Sequence, residues 1–147
     1  MIRKIYYILP SFNESLNLNK LLKDFKIFFK NKKELVTIVI VDDGSTDNSI
    51  EIIDTFIKKK NSKKFIIKII KHKKNLGLGR ALKTGFEYCF SKGKTNDVIV
   101  TMDTDNSHTV SLSYKMVKNI FYKKKDILIA SRYQLNSRIK GLNYSRI

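Results

Sequence analysis

The sequence predicts an α/β domain with a mainly parallel sheet that carries helices on both faces. Short runs of aliphatic, largely β-branched residues alternate with longer segments whose apolar residues recur at helical spacing. Most of these runs also end in a polar or glycine-containing loop, as parallel strands do before their crossover helices. We therefore expect successive strand-helix units with right-handed crossovers, forming a single domain over residues 1 to 147.

The first two units are predicted from two apolar runs and the helices behind them. Ile5 to Leu9 is an apolar run that Pro10 ends, and Leu35 to Val41 has the continuous pattern of a strand buried on both faces. Each run precedes apolar residues at helical spacing. These residues are Leu18, Leu21, Leu22, Phe25, Phe28 and Phe29 after the first run, and Ile52, Ile53, Phe56 and Ile57 after the second.

Two more units and a last strand complete the predicted sheet. Phe65 to Ile70 and Val98 to Met102 are the third and fourth strands, and Ile127 to Ala130 is the fifth. The pattern ends at Gln134. The helix after the third strand has an apolar face made of Ala81, Leu82, Phe86, Cys89 and Phe90, and the helix after the fourth carries Met116, Ile120 and Phe121.

The net charge of +17 raises the question of a nucleic-acid partner. Only five of the thirty basic residues are arginine, the side chain best suited to reading bases and gripping phosphates. The lysines cluster near predicted helix ends, where they favour solubility. We therefore predict no nucleic-acid partner. An ordinary lysine-rich surface accounts for the charge, and attraction to anionic lipid headgroups, about 1 kcal/mol for each nearby lysine, is compatible with it.

Cysteine content and hydropathy predict a cytoplasmic protein. The single cysteine, Cys89, has no partner for an internal disulfide, and the N-terminus lacks the pattern of a secretion signal. No apolar run approaches the ~18 residues that a membrane span needs. Because Cys89 lies on an apolar helical stripe, we interpret it as a small buried hydrophobe and not as a nucleophile.

Two aspartates, Asp103 and Asp105, directly follow the fourth strand. Neighbouring carboxylates repel each other unless a hard divalent cation lies between them and takes oxygen ligands from both. We therefore predict a divalent metal site at this point. His108 is either a further metal ligand or a polar contact, and His72, in a lysine-rich loop, is predicted to be exposed to solvent.

Asp42 and Asp43 end the second strand and have two interpretations. They either begin the turn into the following helix or accept hydrogen bonds from a base or a ribose. The later sequence Gly77-Leu78-Gly79 does not match a dinucleotide fingerprint, because Leu82 occupies the third small position. Either its backbone approaches a ligand, with Arg80 facing an anion, or the glycines serve backbone geometry alone.

Together these segments resemble the family 2 glycosyltransferases of the GT-A fold, and more narrowly their dolichol-phosphate mannosyltransferase-like branch. The resemblance covers almost the whole chain in the family's order. Its segments are Leu9 to Glu14 (LPSFNE), Val41 to Asp47 (VDDGSTD), Asn75 to Gly85 (NLGLGRALKTG), Thr101 to His108 (TMDTDNSH) and Ser131 to Tyr133 (SRY). It implies a Rossmann-like sheet that binds a nucleotide-diphosphate sugar.

The resemblance also implies a role for particular residues. The residues that line the nucleotide pocket are Pro10, Phe12, Glu14 and Asp43 or Asp42. Asp103 and Asp105 bind Mg²⁺ or Mn²⁺ and the diphosphate. Arg132 contacts the diphosphate or the acceptor. Ser107 stands where this branch often has a glutamine near the metal, and we assign it to the metal with the two aspartates. Thr109 and Val110 replace the two prolines that usually follow the histidine.

The reaction implied is inverting transfer of a sugar from a GDP- or UDP-sugar to a polyprenyl phosphate, at the cytoplasmic face of a membrane with peripheral contact. Asp105 and Arg132 are the residues assigned to catalysis. The family's catalytic domain normally continues well past the Ser-Arg-Tyr segment, so we expect this chain to be incomplete at its C-terminus. Two alternatives stay open: a non-catalytic or degenerate nucleotide-sugar-binding module, and a transferase to a saccharide hydroxyl in cell-surface polysaccharide synthesis.

Overall fold

A computed structural model of the chain describes residues 4–60 and 64–131. Within these residues, strands and helices alternate as the sequence predicts, with small differences in their ends. The elements are β1 (Lys4–Ser11), α1 (Ser15–Phe29), β2 (Leu35–Asp42), α2 (Ser49–Lys60), β3 (Phe65–Lys71), α3 (Leu78–Lys92), β4 (Val98–Thr101) and α4 (Val110–Lys123). None of the described helices is long and apolar enough to cross a lipid bilayer.

The four strands form a parallel sheet in the order β3-β2-β1-β4. The chain starts at β1, moves outward to β2 and β3, and then returns to the other side of β1 for β4. The strand order therefore reverses at β1, the position where open α/β sheets bind ligands. Ser11 pairs with Asp42 and Ile8 with Thr101. This register brings the carboxyl ends of β1, β2 and β4 to one edge of the sheet.

Helices cover both faces of the sheet, in agreement with the prediction. Tyr7 and Leu9 of β1 belong to the core formed with α1, α2 and α4, whereas Tyr6 and Ile8 pack with α3 on the opposite face. Successive side chains of a strand point to opposite faces, so β1 must be apolar at nearly every position. This explains the continuous apolar pattern that predicted it.

Cys89 is buried as predicted, and burial raises the pKa of its thiol to about 11. Phe90 does not follow it into the core: its side chain is 72% exposed and stacks on Phe86 with ring centroids 5.9 Å apart. One residue along a helix rotates the side chain by about 100°, and the sheet-facing row is Ala81, Gly85 and Cys89. The assignment of Phe90 to the buried face was therefore wrong.

The predicted fifth strand is also wrong. Residues 127–130 form neither strand nor helix, and Ile127 and Ile129 are more than three-quarters exposed. A β-branched run becomes a strand only when a neighbouring strand satisfies its backbone N–H and C=O groups. In the part of the chain that the structure describes, no strand pairs with this segment.

The loops after β1 and β2 are joined by hydrogen bonds that fix one side of the sheet edge. The Asn13 N–H donates to Ser45 Oγ (2.9 Å), and the Thr46 N–H donates back to Asn13 Oδ1 (2.8 Å). Asp47 accepts from the Ser15 N–H (3.0 Å) and from the Ser49 N–H (3.0 Å). Three of these bonds connect positions more than thirty residues apart in the sequence, so they hold the two loops against each other.

Asp47 is held ionised by this arrangement. Partial burial alone raises the pKa of its carboxyl, but hydrogen bonds from Ser49 and Ser15 outweigh burial and lower the pKa to about 2. The charged form is therefore the one that joins the start of α1 to the loop before α2.

Replacing Gly85 should destabilise the packing of α3 on β1. A Cβ at this position would lie 2.4 Å from Ile8 Cγ2, so Gly85→Ala is expected to lower the free energy of unfolding by about 1–3 kcal/mol. The matched control is Gly79→Ala in the same helix, where nothing lies within 4 Å; it should leave stability unchanged or raise it by less than about 1 kcal/mol. Urea denaturation measures both, and equal values for the two variants would contradict this packing.

Asp47 should make stability depend on pH in the acid range. Its pKa is lowered from 3.8 to about 2 in the folded chain, so its contribution is complete above about pH 4 and is lost as the pH falls towards 2. Asp47→Asn should cost about 1 kcal/mol at pH 7 and flatten the decline between pH 4 and 2. Denaturant titrations at several pH values test this. The control is Asp54→Asn, a half-exposed carboxylate of α2 that lies outside these loops and pairs with Lys71 (3.5 Å).

Candidate functional site

A cavity of about 330 Å³ opens at the carboxyl edge of the sheet. This volume lies within the range of small-ligand sites, and the cavity is at the reversal of strand order. Its wall comes from the segments after β1, β2, β3 and β4. The lining residues are Pro10, Ser11, Phe12, Glu14, Asp43, Asn75, Gly77, Leu78, Ala81, Asp103, Thr104 and Asp105.

The structure separates the two adjacent aspartates of the second segment. Asp42 is fully buried and lies outside the cavity lining. Its Oδ2 accepts from the Ser45 N–H (3.2 Å), while its Oδ1 has no hydrogen-bond partner among the described residues. Asp43 lines the cavity. Side chains alternate between the two faces of a strand, which explains the difference. Asp42 lies on the same face as Ile40, whereas Asp43 follows Val41 on the face that packs against α3.

The Asp43 carboxylate is almost saturated with donors from the protein. Its Oδ1 lies 2.6 Å from His72 Nδ1, its Oδ2 accepts from the Gly77 N–H at 2.8 Å, and the Leu76 N–H reaches both oxygens at 3.0 and 3.1 Å. Burial tends to raise its pKa, but these hydrogen bonds lower the pKa below its ordinary value. The anion at the N-terminus of α3 is therefore the protein's own carboxylate.

His72 is not exposed, contrary to the prediction. Its side chain is 10% exposed and lies between Asp43 and Thr84, whose Oγ1 is 3.0 Å from Nε2. The lysines beside it in sequence suggested a solvated loop, whereas its own partners are 29 and 12 residues away. Local composition carries no information about contacts over such distances.

The loop after β4 presents its two aspartates outward around an anchored threonine. Thr104 is buried and its hydroxyl donates to the Pro10 carbonyl (3.0 Å), which ties the loop to the end of β1. Asp103 and Asp105, on either side, are exposed and line the cavity. Asn106 adds a second anchor by donating to the carbonyl of Asn17 (3.2 Å). Thr104 is not predicted from the sequence, although its position between two exposed aspartates, where side chains alternate, indicates an inward-facing residue.

The chemistry of these groups fits a divalent cation that shares its ligands with a phosphorylated molecule. Hydrogen bonds from the Ser107 side chain and from its N–H (2.8 Å) lower the pKa of Asp105, so this carboxylate is ionised. His108 Nδ1 lies 3.7 Å from Asp103 Oδ2. Among the described residues, no three His, Cys, Asp or Glu side chains form a complete metal cage. Two carboxylates with remaining positions for water and phosphate are typical of Mg²⁺ sites.

Most of the residues assigned from the sequence meet at this cavity. Those that line it are Pro10, Phe12, Glu14, Asp43, Asp103 and Asp105. Ser107 lies beside it and donates to Asp105, and Asp42 is buried behind it. Arg132 lies outside the described residues. Thr109, in place of the first expected proline, caps α4 by accepting from the Leu112 N–H (3.3 Å), so the helix begins without proline.

Solved structures share this fold at low sequence identity. Staphylococcus aureus TarS, residues 1–349 in complex with UDP, has a TM-score of 0.68 at 19% identity over 95% of this chain and 38% of that one. The mannosyltransferase PcManGT of Pyrobaculum calidifontis, in complex with GDP-Man and Mn²⁺, has a TM-score of 0.62 at 18% identity over 82% and 33%. The likeness establishes a GT-A-type fold, as the sequence resemblance implied.

Curated relatives are closer in sequence and considerably longer. The dolichol-phosphate mannosyltransferase of Pyrococcus furiosus is 30% identical over 97% of this chain and 37% of its own length. Other relatives are named as transferases to dolichyl or undecaprenyl phosphate. The chain spans about half, or less, of the length of the curated relatives it matches. Because the model of glycosyl transferase family 2 also matches residues 6–146, nearly the whole chain, the protein belongs to that family.

Proposed function

We propose that this chain takes part in inverting transfer of a sugar from a GDP- or UDP-sugar to a polyprenyl phosphate, and that the described cavity holds the donor. One observation carries the proposal: the exposed pair Asp103 and Asp105 shares a cavity with a separate wall built from β1, β2 and the start of α3. Such a cavity offers one end to a metal-bound diphosphate and the other to a nucleoside. The names of the relatives support the acceptor class.

The nucleoside would lie against Pro10, Phe12 and Glu14, with Asp43 behind it. Phe12 is 43% exposed at the rim, where its ring offers a flat apolar surface. Asp43 already accepts from three donors, so it has room for at most one more hydrogen bond. Its main contribution is then to hold the wall that the nucleoside meets.

Asp103 and Asp105 would hold Mg²⁺ or Mn²⁺ together with the donor diphosphate. When bound, the metal neutralises the charge that develops on the departing diphosphate. Asp105 is held ionised and oriented by Ser107, which makes it ready to bind a cation without first losing a proton. Ser107 itself remains a proposed metal-side residue. The complex of PcManGT with Mn²⁺ supports a divalent metal in this fold.

A polyprenyl phosphate acceptor would need this chain only to position it and not to supply a general base. A polyprenyl phosphate carries an ionised oxygen near pH 7 and attacks without a general base, whereas a saccharide hydroxyl requires one. Arg132 is the proposed contact of the diphosphate or the acceptor. A net charge of +17 supports peripheral contact with an anionic membrane at its cytoplasmic face, where this acceptor would be found.

A donor-binding module without transfer is the second candidate. The residues that line the cavity all lie within residues 10–105, while the relatives are about twice as long or longer. Labelled donor and polyprenyl phosphate in liposomes separate the two functions. Metal-dependent transfer supports the transferase, and metal-dependent donor binding without transfer supports the module.

The metal should strengthen nucleoside diphosphate binding, and this gain should depend on Asp105. Mg²⁺ or Mn²⁺ should strengthen the binding of GDP or UDP. In Asp105→Asn this metal-dependent increase in affinity should be smaller by roughly tenfold or more, since even outer-shell partners of a metal change affinity by 10- to 100-fold. Without metal, the variant should bind as well as the wild type or better, because one negative charge facing the diphosphate is gone.

Calorimetry with and without metal measures these affinities. Asp24→Asn is the matched control, since Asp24 is a half-exposed aspartate of α1 that pairs with Lys20 outside this cavity. A variant at Asp105 that keeps the full metal-dependent gain would exclude the assigned metal site.

A further inference from the structure

The segment between β3 and α3, residues 72–77, is held by three successive residues at the end of β2, and we name it the glycine loop. The Asp42 carbonyl accepts from the His72 N–H (2.8 Å), and the Asp43 carboxylate accepts from the Leu76 and Gly77 amides. Gly44, at φ +78°, packs so closely that an added Cβ would lie 2.5 Å from the Lys74 carbonyl carbon. Each residue of the Asp42-Asp43-Gly44 sequence therefore contacts the glycine loop and helps to fix its position.

The His72 ring completes this arrangement by joining three elements. An ionised carboxylate only accepts hydrogen bonds, so the short contact to Asp43 requires a proton on Nδ1. Nε2 then contacts the hydroxyl of Thr84 on α3, which is able to donate or accept. One ring thus connects the end of β3, the carboxylate at the end of β2 and the helix that follows the glycine loop.

The second half of the glycine loop forms part of the cavity wall, whereas His72, its first residue, is not among the lining residues. Asn75 and Gly77 line the cavity together with Leu78, the first residue of α3. His72 reaches them only through Asp43, whose two oxygens it helps to aim at the Leu76 and Gly77 amides.

We propose that His72 is a positioning residue for the donor cavity: its Nδ1–H orients the Asp43 carboxylate, which in turn holds the glycine loop in the place that a nucleoside diphosphate meets. The binding part of this inference rests on the proposed function, and the orientation of Asp43 does not.

Two substitutions distinguish the hydrogen bond from His72 to Asp43 from the packing of the His72 side chain. The side-chain amide of His72→Asn replaces the Nδ1 donor, whereas that of His72→Gln reaches the position of Nε2 and leaves Asp43 without its donor. A hydrogen bond to a charged group typically changes an equilibrium by roughly tenfold or more. His72→Gln should therefore weaken metal-free binding of GDP or UDP about tenfold, and His72→Asn should stay within about threefold of the wild type.

Amide hydrogen exchange gives a readout that does not depend on a ligand. In His72→Gln the Leu76 and Gly77 amides should exchange faster than in the wild type, while in His72→Asn they should stay protected. Lys73→Gln, an exposed neighbour in the same loop, is the control and should change neither binding nor exchange. If the two His72 variants lose binding and protection equally, or if neither loses any, the proposal is overturned.

The wild-type protein alone provides a further test should a variant fail to fold. Long-range nitrogen-proton NMR of the imidazole should show Nδ1 protonated, and an unprotonated Nδ1 would overturn the proposal. Failure of the wild type to bind either nucleoside diphosphate, with or without metal, would count against the proposed function. In that case the exchange of Leu76 and Gly77 would still decide the role of His72.

Discussion

The carboxylate of Asp43 at the N-terminus of α3 is the interaction on which the rest of the site depends. A buried carboxylate is costly unless donors surround it, and here backbone amides of the glycine loop and the His72 ring supply them. The same bonds fix the loop and the helix start, and the positive end of the α3 dipole favours the charge. Removing any one donor is therefore expected to disturb both the charge and the wall of the cavity.

The arrangement follows from the sheet before any ligand is considered. Because β1 lies between β2 and β4, their carboxyl ends meet at one edge, and each following segment is attached to a neighbour. Thr104 is tied to Pro10, and Asn13 to Ser45. The loops are thus cross-linked by side chains of Asn, Ser, Thr and Asp, which is why these small polar residues concentrate after the strands.

Periodicity predicted the four strand-helix units well, since continuous apolar runs and helical stripes directly reflect burial. It failed where the outcome depends on a distant partner. Residues 127–130 have the composition of a strand but no paired neighbour in the described chain, and the side chain of His72 is largely shielded from solvent by contacts far away in sequence. Asp42 and Asp43 looked equivalent because the sequence does not say which face of β2 carries α3. The pair Asp103 and Asp105 was predictable, because its position after a strand requires no long-range knowledge.

The carboxylates on the two sides of the cavity differ in how far the protein itself pairs their charge. Asp43 is 4% exposed and its charge is satisfied by the protein, so that side is complete without a ligand. Asp103 and Asp105 are exposed, so both carboxylates remain accessible to a ligand. Hydrogen bonds from Ser107 keep Asp105 ionised by lowering its pKa. Two open carboxylates repel an approaching diphosphate until a cation lies between them. In the proposed donor complex, the side that would take the nucleoside is pre-formed, whereas the side that would take the diphosphate is completed only when metal and donor arrive together. Metal should therefore affect the affinity for a diphosphate far more than the affinity for a nucleoside.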